Sequence, residues 1–373
     1  MSGAGPVTRA HRVVFVDLGR FLALAFMLYG HTVDALLDPA YREGAWFEVW
    51  QFQRGLTSSL FLLLSGFAFS VATVRRWGEY QWASPALVRR VRRFGLFVLL
   101  GYALHMPVSR LADLPAASAE QWQALLAVDV LQLIGVTYLI VQGLVLLTRT
   151  PQRFLAASLV LGLVVVGVTP LVRGLDWSWL PAPLAAYFTP ATGSLFPLFP
   201  YAAHILLGAA LGQIYAGWGA SRLLEFAGRA LVAPGAVLAA ASVAAPALFG
   251  ASMSSSLVQV ALRLGTCLLI LALVAYASRR IERLPRVVSA MAQETLLVYF
   301  VHLCLVYGSI WNAGLSQWTG NALGPGGTAT AVVVLLAAMA ALGWSWHWVK
   351  RTRPRAVPWA RAAAAAALLV PLL

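Results

Sequence analysis

The sequence predicts an all-α, polytopic integral membrane protein, a single domain of ten or eleven transmembrane helices with its N-terminus in the cytosol. Three observations predict this fold. Hydrophobic residues make up 60% of the 373 residues and charged residues only 11%, whereas a soluble globular chain carries roughly 25% charged residues. Long apolar segments recur along the whole chain. Basic residues are concentrated in every second loop, as expected of the cytosolic loops of a membrane protein.

The apolar segments are long enough to cross a bilayer, since a helix needs about 20 residues to span the hydrocarbon core. The first lacks the cleavage pattern of a signal peptide, so we expect it to remain as the first span. The final segment, 356–373, leaves two alternatives open, an eleventh span or an interfacial tail. We expect residues 1–373 to form one domain. Its ten candidate spans are 13–37, 56–74, 93–110, 124–147, 154–172, 196–215, 230–250, 256–278, 287–312 and 328–349.

The distribution of basic residues predicts the orientation of the chain. Of 27 basic residues, 21 lie in the N-terminal segment and alternate loops, beginning with Arg9 and Arg12, and four lie in the opposite loops. This bias places the N-terminus in the cytosol. We expect a multi-pass protein of the plasma (inner) membrane. The net charge of +14 is therefore mostly topological, and we expect no nucleic-acid partner. Cys267 and Cys304 lie in apolar segments and indicate neither a disulfide framework nor a metal site.

The first span carries four ionisable side chains, Asp17, Arg20, His31 and Asp34. At about 100° per residue, Arg20 and His31 return to within about 20° of the same helix face, and both aspartates lie within about 60° of it. Charged groups are costly in lipid, so this stripe should face a polar interior. The first helix therefore predicts a bundle around a polar chamber.

Polar residues in other spans fall at a similar depth under this topology. Titratable groups within a membrane usually pair with one another or line a water-filled cavity. For each histidine taken alone, a hydrogen-bonded packing role is the alternative. Together these residues predict a substrate chamber made of Asp129, His204, Arg263 and His302.

His31 is the candidate catalytic base. Its imidazole can exchange a proton near neutral pH. Asp34 lies three residues further on the same helix face, where a carboxylate could orient the ring. Such a base can activate a hydroxyl or an amine. From these residues alone, a proton-coupled transporter with His31 and Asp34 as relay groups explains the pattern almost as well as an enzyme does.

Six motifs occur in a defined order along the chain. Arg20 is followed after ten residues by His31, FLLLSGFAFS runs from Phe61, and Arg-x-x-Arg occurs twice within 89–93. The others are DVLQLIGVTYLI, FPLFPYAAHILLGAALG and ETLLVYFVH, which begin at 129, 196 and 294. In this order they resemble the membrane acyltransferase superfamily of acyltransferase-three and heparan-alpha-glucosaminide N-acetyltransferase-like proteins. The last three are similar to the glucosaminide branch in particular.

The resemblance implies transfer of an acyl group, expected to be acetyl, from cytosolic acyl-CoA to a hydroxyl or amine of a glycan or other small acceptor. It implies His31 as general base, with a transient acyl carrier as the alternative role. We expect no metal. Arginine binds phosphate in a bidentate way, and Arg20 lies about 16 Å from His31 along the helix, comparable to an extended pantetheine arm. Where the glucosaminide branch often has a side-chain amide, this chain has Tyr29 and Gly30. The implied donor-site residues are Arg20, Arg89, Arg90, Arg92 and Arg93.

Overall fold

A computed structural model describes residues 14–250 and 256–372 of the chain. The described residues are mostly helical and contain, apart from two isolated bridges, no β-structure. This confirms the predicted all-α class. Arg9 and Arg12, on which part of the orientation argument depends, lie outside the described residues, as do Val13 and residues 251–255 at the span boundaries.

Sixteen α-helices follow one another along the described residues, joined by short loops and 3-10 turns. A π-helical turn, Ala227–Val232, links the ninth to the tenth. In chain order they are α1 Val14–Leu36, α2 Ala45–Val74, α3 Pro85–Leu104, α4 Ala119–Leu126, α5 Val130–Thr148, α6 Pro151–Gly174, α7 Ala182–Ala185, α8 Leu198–Trp218, α9 Leu223–Phe226, α10 Ala233–Phe249, α11 Ser256–Ser278, α12 Arg286–Gln293, α13 Thr295–Tyr307, α14 Leu315–Thr319, α15 Pro325–Thr352 and α16 Val357–Leu369.

Eight helical stretches in the described part of the chain are long and apolar enough to cross a membrane. They are α1, α2, α5, α6, α8, the stretch Ala220–Leu248, α11 and α15. Helices α12 and α13 make a ninth if they are one span, broken by a bend of 82°. Helix α3 has 20 residues, but four arginines in its first half keep it out of this set. The architecture is that of a multi-pass membrane protein.

Helix α3 begins earlier than the sequence predicted. The hydroxyl of Ser84 accepts a hydrogen bond from the backbone N–H of Leu87 at 3.0 Å, and Pro85 occupies the first helical position. Both residue types favour a helix N-terminus at these positions. The arginines of 89–93, expected to lie mainly in a loop, therefore lie on a helix. There Arg90 and Arg93 share a face because they are three positions apart.

Helix α16 occupies the C-terminal segment for which two alternatives were open. It has 13 residues, fewer than the roughly 20 that a crossing needs. Its end is held against the loop after α13, because the indole of Trp311 donates to the carbonyl of Leu368 at 3.0 Å. Turns of 3-10 helix continue α16 on both sides, at Pro354–Ala356 and Val370–Leu372, and the choice between an eleventh span and an interfacial tail stays a prediction.

Helices α2 and α8 pack so closely that their backbones touch at two glycines. A Cβ added to Gly66 would lie 1.9 Å from the carbonyl oxygen of Ile205, and one added to Gly208 would lie 2.0 Å from that of Leu63. Small residues allow such close approach between membrane helices, where van der Waals packing drives association. Helices α2 and α8 thus form a tightly packed pair, and α2 lines the two cavities described next.

Candidate functional site

Two cavities follow one another along the bundle, and helices α1, α2, α3, α5 and α13 contribute to both. One has a volume of about 510 Å³ and the other about 570 Å³. We name the first the arginine cavity; its charged lining residues are Arg20, Arg76, Arg89, Arg90 and Arg93. We name the second the histidine cavity; its titratable and basic lining includes His31, Arg54, His105, Asp129, Arg263, Tyr299 and Tyr307.

Neutral groups hold two of the arginines that line the arginine cavity. Arg90 donates to the hydroxyl of Thr73 at 2.8 Å and to the side-chain oxygen of Gln142 at 3.2 Å. Its guanidinium lies 3.8 Å from the ring centroid of Tyr80. Arg20 donates to the hydroxyl of Thr295 at 3.1 Å. These contacts fix the direction of two guanidinium groups and leave their charge available to an anion.

Some of the remaining arginines line the arginine cavity and others do not. Arg89 and Arg93 line the arginine cavity, whereas Arg92, also predicted at the donor site, is not among its described lining residues. Arg76 forms an ion pair with Glu79 in the loop after α2, and this contact lowers the pKa of Glu79. No carboxylate is among the described residues that line the arginine cavity. The cavity therefore has the electrostatics of a polyanion site.

His31 lines the histidine cavity from α1 and contacts two side chains of α13. Its Nδ1 lies 3.1 Å from the hydroxyl oxygen of Tyr307. That hydroxyl also lies 3.4 Å from the carbonyl oxygen of His31 and can donate to it. The ring of His302 meets the His31 ring edge-on, with centroids 5.3 Å apart. Tyr307 and His302 together fix the plane of the His31 imidazole.

Asp34, predicted to orient His31, is engaged elsewhere. Its carboxylate forms an ion pair with Arg54 of α2, and its backbone carbonyl accepts from Arg42 at 2.9 Å. Helical spacing brings His31 and Asp34 to one side of α1, but Arg54 provides Asp34 with an opposite charge. The partner that the structure places at His31 Nδ1 is thus the phenol of Tyr307.

Asp129 and Arg263, two of the four predicted chamber residues, line the histidine cavity. Asp129 caps α5 by accepting from the backbone N–H of Val130 at 2.7 Å. Its other carboxylate oxygen lies 3.7 Å from Nε2 of His105 at the end of α3. The guanidinium of Arg263 lies beside Gly55, where a Cβ would approach it to 3.4 Å. The cavity therefore holds a histidine, a carboxylate and a guanidinium on different helices.

The two other predicted chamber residues do not line this cavity. His302 is fully buried, and its Nδ1 donates to the carbonyl of Val298 at 3.1 Å. It reaches the site through its edge-on ring contacts with His31 and Tyr299. His204 on α8 is 2% exposed and is absent from the described linings of both cavities.

Residues 12–245 match the family model described as "Heparan-alpha-glucosaminide N-acetyltransferase, catalytic". This is well over half of the chain. The chain belongs to this family. The resemblance on which the sequence analysis relied is thereby confirmed, and the membership indicates a membrane acetyltransferase. A comparison with curated proteins gives no match.

The family match includes the part of the chain that carries Arg20, His31, Asp129 and the arginines of 89–93. It ends before Arg263 and before the stretch from Glu294 to His302, so the similarity of that stretch to the family stays a prediction. The walls of both cavities are completed by residues outside the match, because α13 lines each of them.

Sequence reasoning did not select Tyr299, Tyr307 or Arg54 as site residues. A signal for the two tyrosines was present, because Tyr299, Leu303 and Tyr307 follow one another at intervals of four and share a helix face. That face lines the histidine cavity. Arg54 carried no comparable signal, since the sequence placed it in an outer loop and the structure places it within α2.

Proposed function

We propose that this protein transfers an acetyl group from acetyl-CoA, bound in the arginine cavity, to a hydroxyl or amine of an acceptor in the histidine cavity, with His31 as general base. The observation that carries the proposal is the pairing of an anion-binding cavity and a histidine-bearing cavity along the same helices. Family membership supports acetyl as the group transferred and acetyl-CoA as its donor.

The arginine cavity suits the donor in charge and size. Coenzyme A carries several phosphate groups, and guanidinium groups bind phosphate oxygens through paired hydrogen bonds. Arg90 and Arg93 share a face of α3, and Arg20 faces the same cavity from α1. A volume of about 510 Å³ lies within the usual range of ligand sites. The positive-inside bias supports a cytosolic opening for this cavity.

The spacing along α1 suits the donor as well. Arg20 and His31 are eleven positions apart, which corresponds to about 16 Å of helix. An extended pantetheine arm is of similar length. With the phosphates among the arginines, the thioester end therefore reaches the level of His31.

The contacts of His31 suit a general base. The hydroxyl of Tyr307 can donate its single proton to the carbonyl oxygen of His31. The phenol oxygen then accepts from Nδ1–H, across 3.1 Å. In this arrangement Nε2 keeps the lone pair that a base requires. Tyr307 takes the orienting role that the sequence analysis assigned to Asp34.

In the proposed reaction His31 takes up one proton and then gives it back, so that it ends in its starting form. His31 Nε2 removes the proton from the acceptor hydroxyl or amine as its oxygen or nitrogen bonds to the thioester carbonyl carbon. The carbon–sulfur bond breaks, and His31 returns the proton to the departing thiolate. The products are the acetylated acceptor and the thiol of CoA.

The histidine cavity suits a small polar acceptor. Asp129 and His105 offer hydrogen-bond groups from one side, and Arg263 offers donors from another. The family name refers to a glucosaminide, so we propose the amine of an amino sugar as the first acceptor to test. A hydroxyl of a glycan or of another small molecule is the next. We further propose the plasma (inner) membrane as the location.

The test uses purified protein in lipid nanodiscs with radiolabelled acetyl-CoA and glucosamine or a short glucosamine oligomer as acceptor. Transfer by the wild type and its loss in His31→Ala support the proposal. Transfer at the wild-type rate by His31→Ala would rule out the mechanism. Binding of labelled acetyl-CoA is measured in parallel, because that measurement does not depend on the acceptor.

A proton-coupled transporter is the second candidate function. Two polar cavities in series along a bundle are also what a transport pathway would contain, with His31 and Asp34 as relay groups. This candidate does not require the arginine cavity to bind CoA. A wild-type protein with no detectable affinity for acetyl-CoA, but with proton-driven uptake in proteoliposomes, would favour transport.

A further inference from the structure

One side chain, that of Tyr299, belongs to both cavities. Among the described residues that line either cavity, it is the only one common to the two linings. It lies near the middle of α13, after Thr295 and Leu296, which face the arginine cavity, and before Leu303 and Tyr307, which face the histidine cavity. Tyr299 is therefore the partition between the two cavities.

Two other helices, α2 and α5, change from one cavity to the other within one helical turn. On α5, Val130 lines the histidine cavity and the next residue, Leu131, lines the arginine cavity. On α2, Ser58 faces the histidine cavity and Phe61, one turn further, faces the arginine cavity. On these two helices the boundary is no more than one turn deep, and Phe61, Val130 and Leu131 make it largely apolar. We call these side chains, together with Tyr299, the boundary layer.

Neighbouring rings hold Tyr299 in this layer. Its side chain is buried, with 2% of the residue exposed. The ring of Phe61 stacks on it, with centroids 6.2 Å apart and planes 20° apart. On the other side His302 meets it edge-on at 5.3 Å, and His302 in turn contacts His31. A single ring, that of His302, thus links Tyr299 to the proposed base.

We propose that Tyr299 determines the length of the acyl group that the enzyme accepts. This inference rests on the proposed function, because it places the donor in the arginine cavity and the acceptor beside His31. The thioester carbonyl must then lie at the boundary between the cavities, where the acceptor can attack it. The acyl tail occupies the space that the ring of Tyr299 leaves free.

An acetyl group adds only a methyl beyond the carbonyl carbon. Each further methylene must displace the ring of Tyr299 or an adjacent apolar side chain of the layer. Packed interiors resist such insertion because their side chains cannot shift without strain. The ring therefore excludes longer acyl groups, while its hydroxyl is not needed for this selection.

The test compares the affinity of the nanodisc-embedded protein for acetyl-CoA, butyryl-CoA and hexanoyl-CoA by calorimetry. We expect the wild type to bind acetyl-CoA at least tenfold more tightly than hexanoyl-CoA. Tyr299→Phe keeps the ring and should keep this ratio. Tyr299→Ala and the milder Tyr299→Leu shorten the side chain and should reduce the ratio to below threefold. Having two shortened variants keeps the test valid if the alanine variant fails to fold.

Phe154→Leu is the matched control. Phe154 is also fully buried, in the same apolar cluster as Tyr299, but it lines neither cavity among the described residues. Phe154→Leu should lower the stability of the protein without changing the ratio of its affinities for acetyl-CoA and hexanoyl-CoA. A ratio that is unchanged in Tyr299→Leu, or changed equally in Phe154→Leu, would overturn the inference. If the wild type binds no acetyl-CoA, the proposed function fails first and this inference fails with it.

Discussion

His31 and Tyr307 lie 276 positions apart in the sequence, yet the Nδ1 of one and the hydroxyl oxygen of the other are 3.1 Å apart. The rings also meet edge-on, with centroids separated by 5.6 Å. A histidine that acts as a base needs a hydrogen bond at one ring nitrogen, so that the other nitrogen keeps its lone pair and is oriented to accept a proton. The first helix of the chain therefore depends on α13, late in the chain, for the orientation of its imidazole.

Replacing these two residues should affect turnover to different extents. His31→Ala removes the proposed base and should lower kcat by about 10²-fold to 10⁴-fold. Tyr307→Phe keeps the ring but removes the hydroxyl that holds Nδ1, and should lower kcat by about tenfold to a hundredfold. The measurement is steady-state transfer of radiolabelled acetyl with a saturating donor.

Asp34→Asn is the comparison for these variants. Asp34 is paired with Arg54, so we expect its amide variant to change kcat less than Tyr307→Phe does. A larger loss in Asp34→Asn than in Tyr307→Phe would contradict the assignment of Tyr307 as the orienting residue.

The arginines of α3 should differ in their effect on donor affinity. Arg90→Ala and Arg93→Ala each remove a guanidinium that lines the arginine cavity. Hydrogen bonds between charged groups contribute about 1.5–3 kcal/mol, so each variant should raise the Kd for acetyl-CoA by about tenfold to a hundredfold. Titration calorimetry on nanodisc-embedded protein measures this change.

Arg92→Ala is the internal control for the α3 series. It removes the same charge from the same helix, at a position outside the described lining of the cavity. The Kd of Arg92→Ala for acetyl-CoA should stay within about threefold of that of the wild type, because solvent screens an exposed charge that does not line the cavity. Equal losses in all three variants would indicate a general effect of charge and not a site.

The glycine contacts between α2 and α8 should be essential to stability. In Gly66→Ala the added methyl would lie 1.9 Å from a backbone carbonyl, a contact that only movement of a helix can relieve. We expect a loss of more than about 4 kcal/mol, at the extreme of single substitutions. Gly208→Ala should behave in the same way.

Gly95→Ala on α3 serves as the control for the glycine variants, since nothing lies within 4 Å of the added Cβ. It should be neutral or raise stability by up to about 1 kcal/mol through helix propensity. Thermal unfolding in one detergent compares the three variants. A Gly66→Ala protein as stable as the wild type would show that α2 and α8 are not in backbone contact.

The ion pair of the buried Glu294, at the bend between α12 and α13, should contribute both to the stability of the protein and to the binding of the proposed donor. Glu294 is 7% exposed and forms an ion pair with Lys350 of α15. Removing one member of a buried pair costs about 3–5 kcal/mol, and the partial exposure of Lys350 should reduce the cost to about 2 kcal/mol. Glu294→Ala should show this loss in denaturant unfolding.

Glu294→Ala should also weaken the binding of acetyl-CoA. Thr295, which follows Glu294, accepts the hydrogen bond from Arg20. The double variant Glu294→Met with Lys350→Met removes both members of the ion pair and should recover part of the stability. If the single and double variants are equally unstable, the ion pair does not hold the bend.

The membrane fold could be predicted from the sequence because its causes are local. A span of about 20 apolar residues needs no partner to be recognised. The polar stripe of α1 could be read in the same way, and it led to Arg20 and His31. The boundaries were less predictable: α3 was expected to begin near residue 93, but the cap at Ser84 starts it at Pro85.

The site itself was only partly predictable. Asp129 and Arg263 line the histidine cavity, while His204 and His302 were grouped with them by depth alone. Depth in the membrane is a local property of the sequence, but rotation about a helix axis is not. Which face a helix turns to the cavity depends on how neighbouring helices pack against it.

By itself, the sequence determined that this protein is a helical membrane protein with a charged track on its first helix, and its motifs predicted the family. The tertiary structure alone decided which residues meet. It gave His31 the phenol of Tyr307 and gave Asp34 the charge of Arg54, and it placed Tyr299 between the two cavities. The physical reason is range: hydrophobicity and helical periodicity act over one segment, whereas hydrogen bonds and ring contacts join segments that the chain keeps far apart.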